Sequence, residues 1–281
     1  MDVHNDEKLI SIQSAMIVGC LSLTLIPLFY KVDVPGMKIP DCTMEEVVET
    51  PIFFFVSKTV VDKYGLEEVN AELDKSVRKS NVIMKNSCIP MKRTLAAVET
   101  VDFNSASLFD IDQIRRQLAK RVGEEKVNNI ERLPNQFYGV ILADEDGYFE
   151  YDTIGTTNPD ENSQFFMLSE HADEYTLEHE LGHLSWAWHD DRSWFKVLDE
   201  RLEQHTSEMN KDRLKPYARG YQCGGAGTIM SYEPELLSIY SSPDITNNGR
   251  ACGDEQYADN ARQLREFARD LKTENAATEN R

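Results

Sequence analysis

The chain's 281 residues suffice for one large core or two small ones, and 41% hydrophobic with 28% charged residues exclude a disordered or fibrous chain. Its 49 acidic against 30 basic residues leave a formal net charge of -19. Such a surface repels phosphate backbones and anionic membranes, which argues against nucleic acid as a partner; it serves solubility or favours cationic polypeptide substrates.

The N-terminal segment differs from the rest. After MDVHNDEK, an apolar stretch runs from Ala15 to Tyr30, shorter than the about 20 residues that a spanning helix prefers. It reads as the apolar region of an export signal, although Asp2, Asp6 and Glu7 are unusual ahead of one; an uncleaved anchor or a buried segment is the alternative. Residues 1–47 are therefore expected to be a signal or anchor with a short leader. The protein is then secreted, periplasmic or on the cell surface, and meets a membrane only through an uncleaved segment. Beyond Cys20, the cysteines Cys42, Cys88, Cys223 and Cys252 suit two disulfides in an oxidising compartment. Cys223 and Cys252 bracket one loop-rich segment and are the preferred pair. Cys42 then either bridges to Cys88 or offers its thiolate to a metal as a latency ligand.

A folded domain is expected over 48–272. Ile52 to Val61 is apolar, aromatic and β-branched, and predicts a central strand. Leu66, Val69, Leu73 and Val77 recur at helical spacing through a predicted helix from Leu66 to Met84. Arg93 to Val101 predicts a second strand, Ile111 to Arg121 a helix opened by Asp110, and Phe137 to Ala143 a third strand. This alternation implies an α/β (α+β) fold, a sheet with parallel members and crossover helices. From Gly147 a loop rich in Asp, Asn, Gly and Thr leads to an edge strand at Gln164 to Ser169. After Asp190 the pattern is mostly helical and irregular, with a helix from Trp194 to His205 and a loop-rich stretch from Cys223 to Asn248. A last amphipathic helix runs from Tyr257 to Leu271, where Tyr257, Ala261, Leu264, Ala268 and Leu271 share one face. Residues 273–281 are expected to be a flexible tail. No internal repeat is present, and a single domain acting as a monomer is the economical description.

The segment HELGHLSWAWHD, His179 to Asp190, carries the chemistry. Histidines four residues apart on a helix stand on one face within roughly 6 Å, so that two neutral imidazoles reach one Zn2+. Glu180 lies about a third of a turn from His179, where its carboxylate reaches a water beside the metal and can act as general base. A surface helix carrying these residues by chance is the bland alternative. Against it, Leu177, Leu181, Leu184 and Trp188 make the helix apolar and buried, and a buried histidine pair needs a ligand or hydrogen-bond partners. Catalytic zinc usually takes three protein groups. His189, six residues after His183, qualifies only if the helix ends between them; Glu200 on the following helix is the competing ligand.

This segment resembles the metzincin signature of zinc metallopeptidases, which places a glycine three residues before the third histidine. It is also similar to the reprolysin-like bacterial branch, in which an aspartate follows that histidine as Asp190 does. Trp186 stands at the glycine position, where a left-handed backbone costs a bulky residue about 1–2 kcal/mol. Downstream, Gly227-Thr228-Ile229-Met230-Ser231-Tyr232 is similar to the metzincin Met-turn. The resemblance spans roughly Thr50 to Leu271 and is strongest from Glu178 to Tyr232. It implies His179, His183 and His189 as zinc ligands, Glu180 as catalytic base, Met230 beneath the histidines, and Tyr232 as a group that touches the zinc or stabilises the oxyanion. It further implies a twisted mixed sheet of about five strands over the active-site helix, a C-terminal subdomain entered after His189, and an edge strand that binds substrate backbone by strand addition. Asp190 is expected to hydrogen-bond near the turn, and His171 and His205 to lie at the surface. The expected function is hydrolysis of peptide bonds in polypeptides by a metal-activated water. The alternative is a catalytically inactive, zinc-stabilised binding module of the same fold.

Overall fold

The structure is a computed structural model that describes residues 35–44, 46–103, 110–149, 153–190 and 206–279. The apolar stretch from Ala15 to Tyr30 and the helix expected from Trp194 to His205, with Glu200 and His205 on it, lie outside the described residues. Strand β1 (Met37–Lys38) precedes β2 (Val48–Ser57), helices α1 (Lys58–Tyr64) and α2 (Leu66–Asn86), and β3 (Met91–Val101). Helices α3 (Ile111–Val122) and α4 (Glu124–Glu131) lead to β4 (Phe137–Leu142), β5 (Gly155–Thr157) and β6 (Phe165–Ser169). Helix α5 (Thr176–Leu184) comes next. After it come the short strands β7 (Gln222–Cys223), β8 (Ala226–Gly227), β9 (Ser242–Asn247) and β10 (Arg250–Cys252), and then helix α6 (Asn260–Glu279).

Five strands form one mixed sheet in the order β3-β2-β4-β6-β5, with β5 antiparallel to β6 and the other neighbours parallel. Parallel neighbours cannot be joined by a tight turn, so α1 with α2, and α3 with α4, serve as crossovers. Alternate residues of each strand enter opposite cores. Ile52, Phe54, Val56, Phe137, Ile141 and Phe166 join α2, α5 and α6 in the larger one. Phe55, Tyr138, Val140, Leu142, Phe165 and Met167 join α3 and α4 in the other. Both faces of the sheet are thus covered by helices, as the apolar runs of these strands require.

Three features differ from the sequence reading. The first apolar run does not stay a strand to Val61: Ser57 accepts a hydrogen bond from Thr59 N at 3.2 Å and starts α1, so Val60 and Val61 are helical. Their β-branching favours a strand, but the crossover must leave the sheet here, and α1 buries Val60 to 3% exposure. The strand expected at the edge is interior, since β6 pairs with β4 on one side and β5 on the other; β5 is the edge. Three residues of glycine and threonine carry no apolar period, so local sequence does not mark β5. Helix α6 starts at Asn260, so Tyr257 lies outside it and is exposed and does not join the packing face, and the helix continues beyond Leu271 to Glu279. Its packing stripe stops where the reading stopped, and mostly exposed turns follow.

A small antiparallel sheet, β1-β9-β10, lies in the C-terminal part, where Met37 pairs with Asn247 and Lys38 with Thr246. The preferred disulfide Cys223–Cys252 is present, and Cys42 bridges to Cys88; two disulfides suggest an extracellular or otherwise oxidising compartment. Bonded to Cys88, Cys42 has no thiolate to offer a metal. Among the described residues no helix is long and apolar enough to cross a membrane.

Candidate metal centre

Helix α5 rests Leu177, Leu181 and Leu184 in the larger core and so turns His179, Glu180 and His183 toward a cleft of about 520 Å³. The cleft runs between the β5 edge and the turn at Ser231 to Glu233. The helix stops as His189 requires. Ala187 N donates to Gly182 O at 2.9 Å and Trp186 N to His183 O at 2.8 Å, the two bonds of a Schellman motif, with Trp186 at its left-handed position (φ +63°). Glycine normally fills that position. Here the indole is 2% exposed, and burying it contributes on the order of 3 kcal/mol, against a backbone cost of about 1–2 kcal/mol and the cost of a buried Nε1–H without a hydrogen-bond partner. The chain then reverses. Trp188 N donates to Ala218 O at 3.0 Å and Gly220 N to Trp188 O at 2.8 Å, and this strand-like pairing carries His189 back over the helix.

The three histidines converge. Nε2 of His189 lies 2.9 Å from Nε2 of His179 and 3.0 Å from Nε2 of His183. Nδ1–H of His179 donates to the Ile229 carbonyl at 2.9 Å, and Nδ1–H of His183 to the Ala187 carbonyl at 3.0 Å. Those bonds fix the tautomers, because a carbonyl only accepts, and leave each Nε2 as a lone pair aimed at the same point. Burial holds all three imidazoles below their ordinary pKa; for His183 and His189 the neighbouring rings add to it. A proton on His189 would satisfy one of the other two lone pairs at a time, whereas a cation satisfies all three. Ligands around a tetrahedral zinc stand about 3.3 Å apart, close to the spacing found. His179, His183 and His189 therefore fit a metal ion, and among the described residues they form the better enclosed of two such groups; the other, Asp144, Glu170 and His171, is largely exposed.

Glu180 faces the same cleft. Burial alone pushes its carboxyl up to about 8. Edge strand β5 passes directly over it: a β-carbon on Gly155 would lie 2.6 Å from Glu180 Oε1. Met230, fully buried, sits on the other side of α5, where a β-carbon on Gly182 would meet its Sδ at 2.7 Å. The turn around it is closed by Ser231 N donating to Thr228 O at 2.9 Å, and it is this turn's Ile229 carbonyl that orients His179. Tyr232 brings its hydroxyl to 2.9 Å from both ring nitrogens of His189. Every expected site residue thus lines or supports one cleft, with Asp190 beside it on the Trp188 pairing. His171 stays at the surface, paired with Asp144 at 2.9 Å.

Gly155 and the Trp188 pairing escaped the sequence reading. A glycine leading two threonines in a polar loop was the only sign of the first. The second joins residues about thirty positions apart through backbone alone and leaves no side-chain signature.

No protein-family model matches the chain, and no curated protein matches it either. Solved structures do. A chain in the structure described as "Structure of a chaperone-substrate complex" superposes with a TM-score of 0.59 over 82% of this chain at 15% identity; this chain spans 35% of that one. Metalloproteinase-II from Bacteroides fragilis gives a TM-score of 0.39 at 15% identity, covering 73% of this chain and 54% of that one. The first likeness concerns the fold alone, and the second is too distant to carry an argument.

Proposed function

We propose that this chain is a zinc-dependent endopeptidase of the metzincin kind, exported, acting on polypeptides without a covalent intermediate. The observation that carries the reading is the convergence of three Nε2 atoms beside a buried carboxyl group, in an open cleft bordered by an edge strand. His179, His183 and His189 would hold the ion. When bound, zinc would supply Lewis acidity, polarising a carbonyl and acidifying water. Glu180 takes the proton of the attacking water on its carboxylate and hands it to the leaving amine, and its desolvation suits a base that must bind a proton and then release it. Tyr232 donates its hydroxyl to the developing oxyanion. Among the described residues no strand pairs with the outer side of β5, so its backbone groups remain for an extended substrate. Gly155 keeps that strand close to Glu180.

The test is cleavage of a mixed peptide library by the full chain, beside Glu180→Gln, with zinc content measured for both. One zinc in each and cleavage lost only in the variant supports the peptidase. Zinc in both with no cleavage in either replaces it with a zinc-stabilised binding module, and full activity in the variant removes Glu180 from the mechanism.

A further inference from the structure

On the side of α5 turned away from the cleft lies a buried charged cluster that the proposed reaction does not use. Arg93 of β3 and Glu178 of α5, both with side chains fully out of solvent, make a two-point pair: Nε to Oε2 at 3.2 Å and Nη2 to Oε1 at 3.0 Å. Nη1 of Arg93 reaches Thr50 Oγ1 at 3.3 Å, and the guanidinium lies over the Phe137 ring at 5.3 Å. Asn81 of α2 grips the Arg93 backbone from both sides, donating to its carbonyl at 2.9 Å and accepting from its N–H at 2.8 Å. The Tyr240 hydroxyl stands 2.7 Å from Glu178 Oε1 and 2.9 Å from the Glu178 carbonyl. Burial, and then the Glu178 carboxylate beside it, keep that hydroxyl protonated and donating.

Stability does not explain the cluster, because a buried ion pair contributes little more than apolar side chains of the same volume. Direction does. An arginine fork accepts a carboxylate in one planar arrangement, so the pair sets the roll of α5 about its axis and its height on the sheet. Glu178 directly precedes His179 and Glu180, and each residue advances the helix by about 100°. Any roll that loosened Glu178 would swing both of those side chains out of register with His189. Tyr240 ties the same helix a second time, since a β-carbon on Gly182 would meet its hydroxyl at 2.9 Å as well as Met230 Sδ at 2.7 Å.

We infer that Glu178 is a positioning residue for the metal centre: Arg93 and Tyr240 hold it, and through it fix the rotation of α5 that brings His179 and His183 to His189. This rests on the reading of the three histidines as metal ligands. The experiment titrates Co2+ into the metal-free full chain and follows its visible spectrum and dissociation constant, with thermal unfolding as control, for the wild type, Arg93→Met/Glu178→Leu and Tyr240→Phe. The double variant is expected to keep its melting temperature within a few degrees yet bind Co2+ about 10- to 100-fold more weakly, with an altered band. Tyr240→Phe, which removes one hydroxyl, is expected to weaken binding less, in the same direction. A folded double variant with wild-type affinity and spectrum overturns the inference; if the double variant does not fold, wild-type binding by Tyr240→Phe overturns it. A wild type that binds no Co2+ overturns the metal reading beneath it instead.

Discussion

Gly155 lies so close to Glu180 that a β-carbon at position 155 would stand 2.6 Å from Oε1 and 3.0 Å from Cδ of that carboxylate. The edge strand and the proposed base therefore share one space, and a side chain at 155 forces the carboxylate or the Thr176 methyl group, 2.9 Å away, to move. Gly155→Ala is expected to displace the carboxylate and lower kcat for peptide hydrolysis by at least about tenfold, equivalent to about 1.4 kcal/mol of barrier, while zinc content stays at one per chain. Steady-state kinetics with metal analysis check this. An unchanged kcat would mean that β5 shifts freely.

At Trp186 two effects oppose each other. Its left-handed backbone (φ +63°) costs about 1–2 kcal/mol, which glycine would relieve, but truncating a buried indole costs about 3–5 kcal/mol. The larger effect decides the sign. Trp186→Gly is expected to lower stability by about 1–4 kcal/mol in urea denaturation; a gain in stability would show that strain dominates.

Gly182 separates the metal-binding face of α5 from Met230 and Tyr240. A methyl group there would meet Met230 Sδ at 2.7 Å and Tyr240 Oη at 2.9 Å. Overpacking of this kind costs about 1–3 kcal/mol. Gly182→Ala is expected to show that loss in its melting curve together with weaker zinc retention against a chelator; loss of stability with wild-type retention would separate the packing from the site.

The Cys223–Cys252 bridge joins residues 29 positions apart, and loop-closure entropy assigns it about 3–4 kcal/mol. Replacing both cysteines by Ala is expected to lose that amount in chemical denaturation, and reducing agent, which also opens Cys42–Cys88, should cost the wild type more. Equal stability with and without reductant would contradict the structural role.

Much of the site was legible because its pieces are local. Two histidines four apart on an apolar helix predict their shared face, and a third six residues on forces a helix stop, which the Schellman motif at Trp186 supplies. Residues 37 and 38, in contrast, pair with β9 some two hundred positions away, and nothing local distinguishes them from leader. Arg93, Glu178 and Tyr240 likewise meet across the fold. Their only local sign was a charge inside a buried element: Glu178 directly ahead of the first histidine on α5, and Arg93 three residues into β3. Val60 and Val61 misled because β-branching speaks for a strand, while the cap at Ser57 and the need to leave the sheet decide for a helix.

The central claim is that His179, His183 and His189 hold one zinc ion. Zinc-edge X-ray absorption on the full chain, beside His189→Ala, tests it most directly. The account predicts one zinc per chain with three imidazole nitrogens at about 2.0–2.1 Å, and at least about 100-fold weaker zinc binding in the variant. A wild type without zinc, or a His189→Ala variant that keeps zinc with an unchanged spectrum, would contradict it.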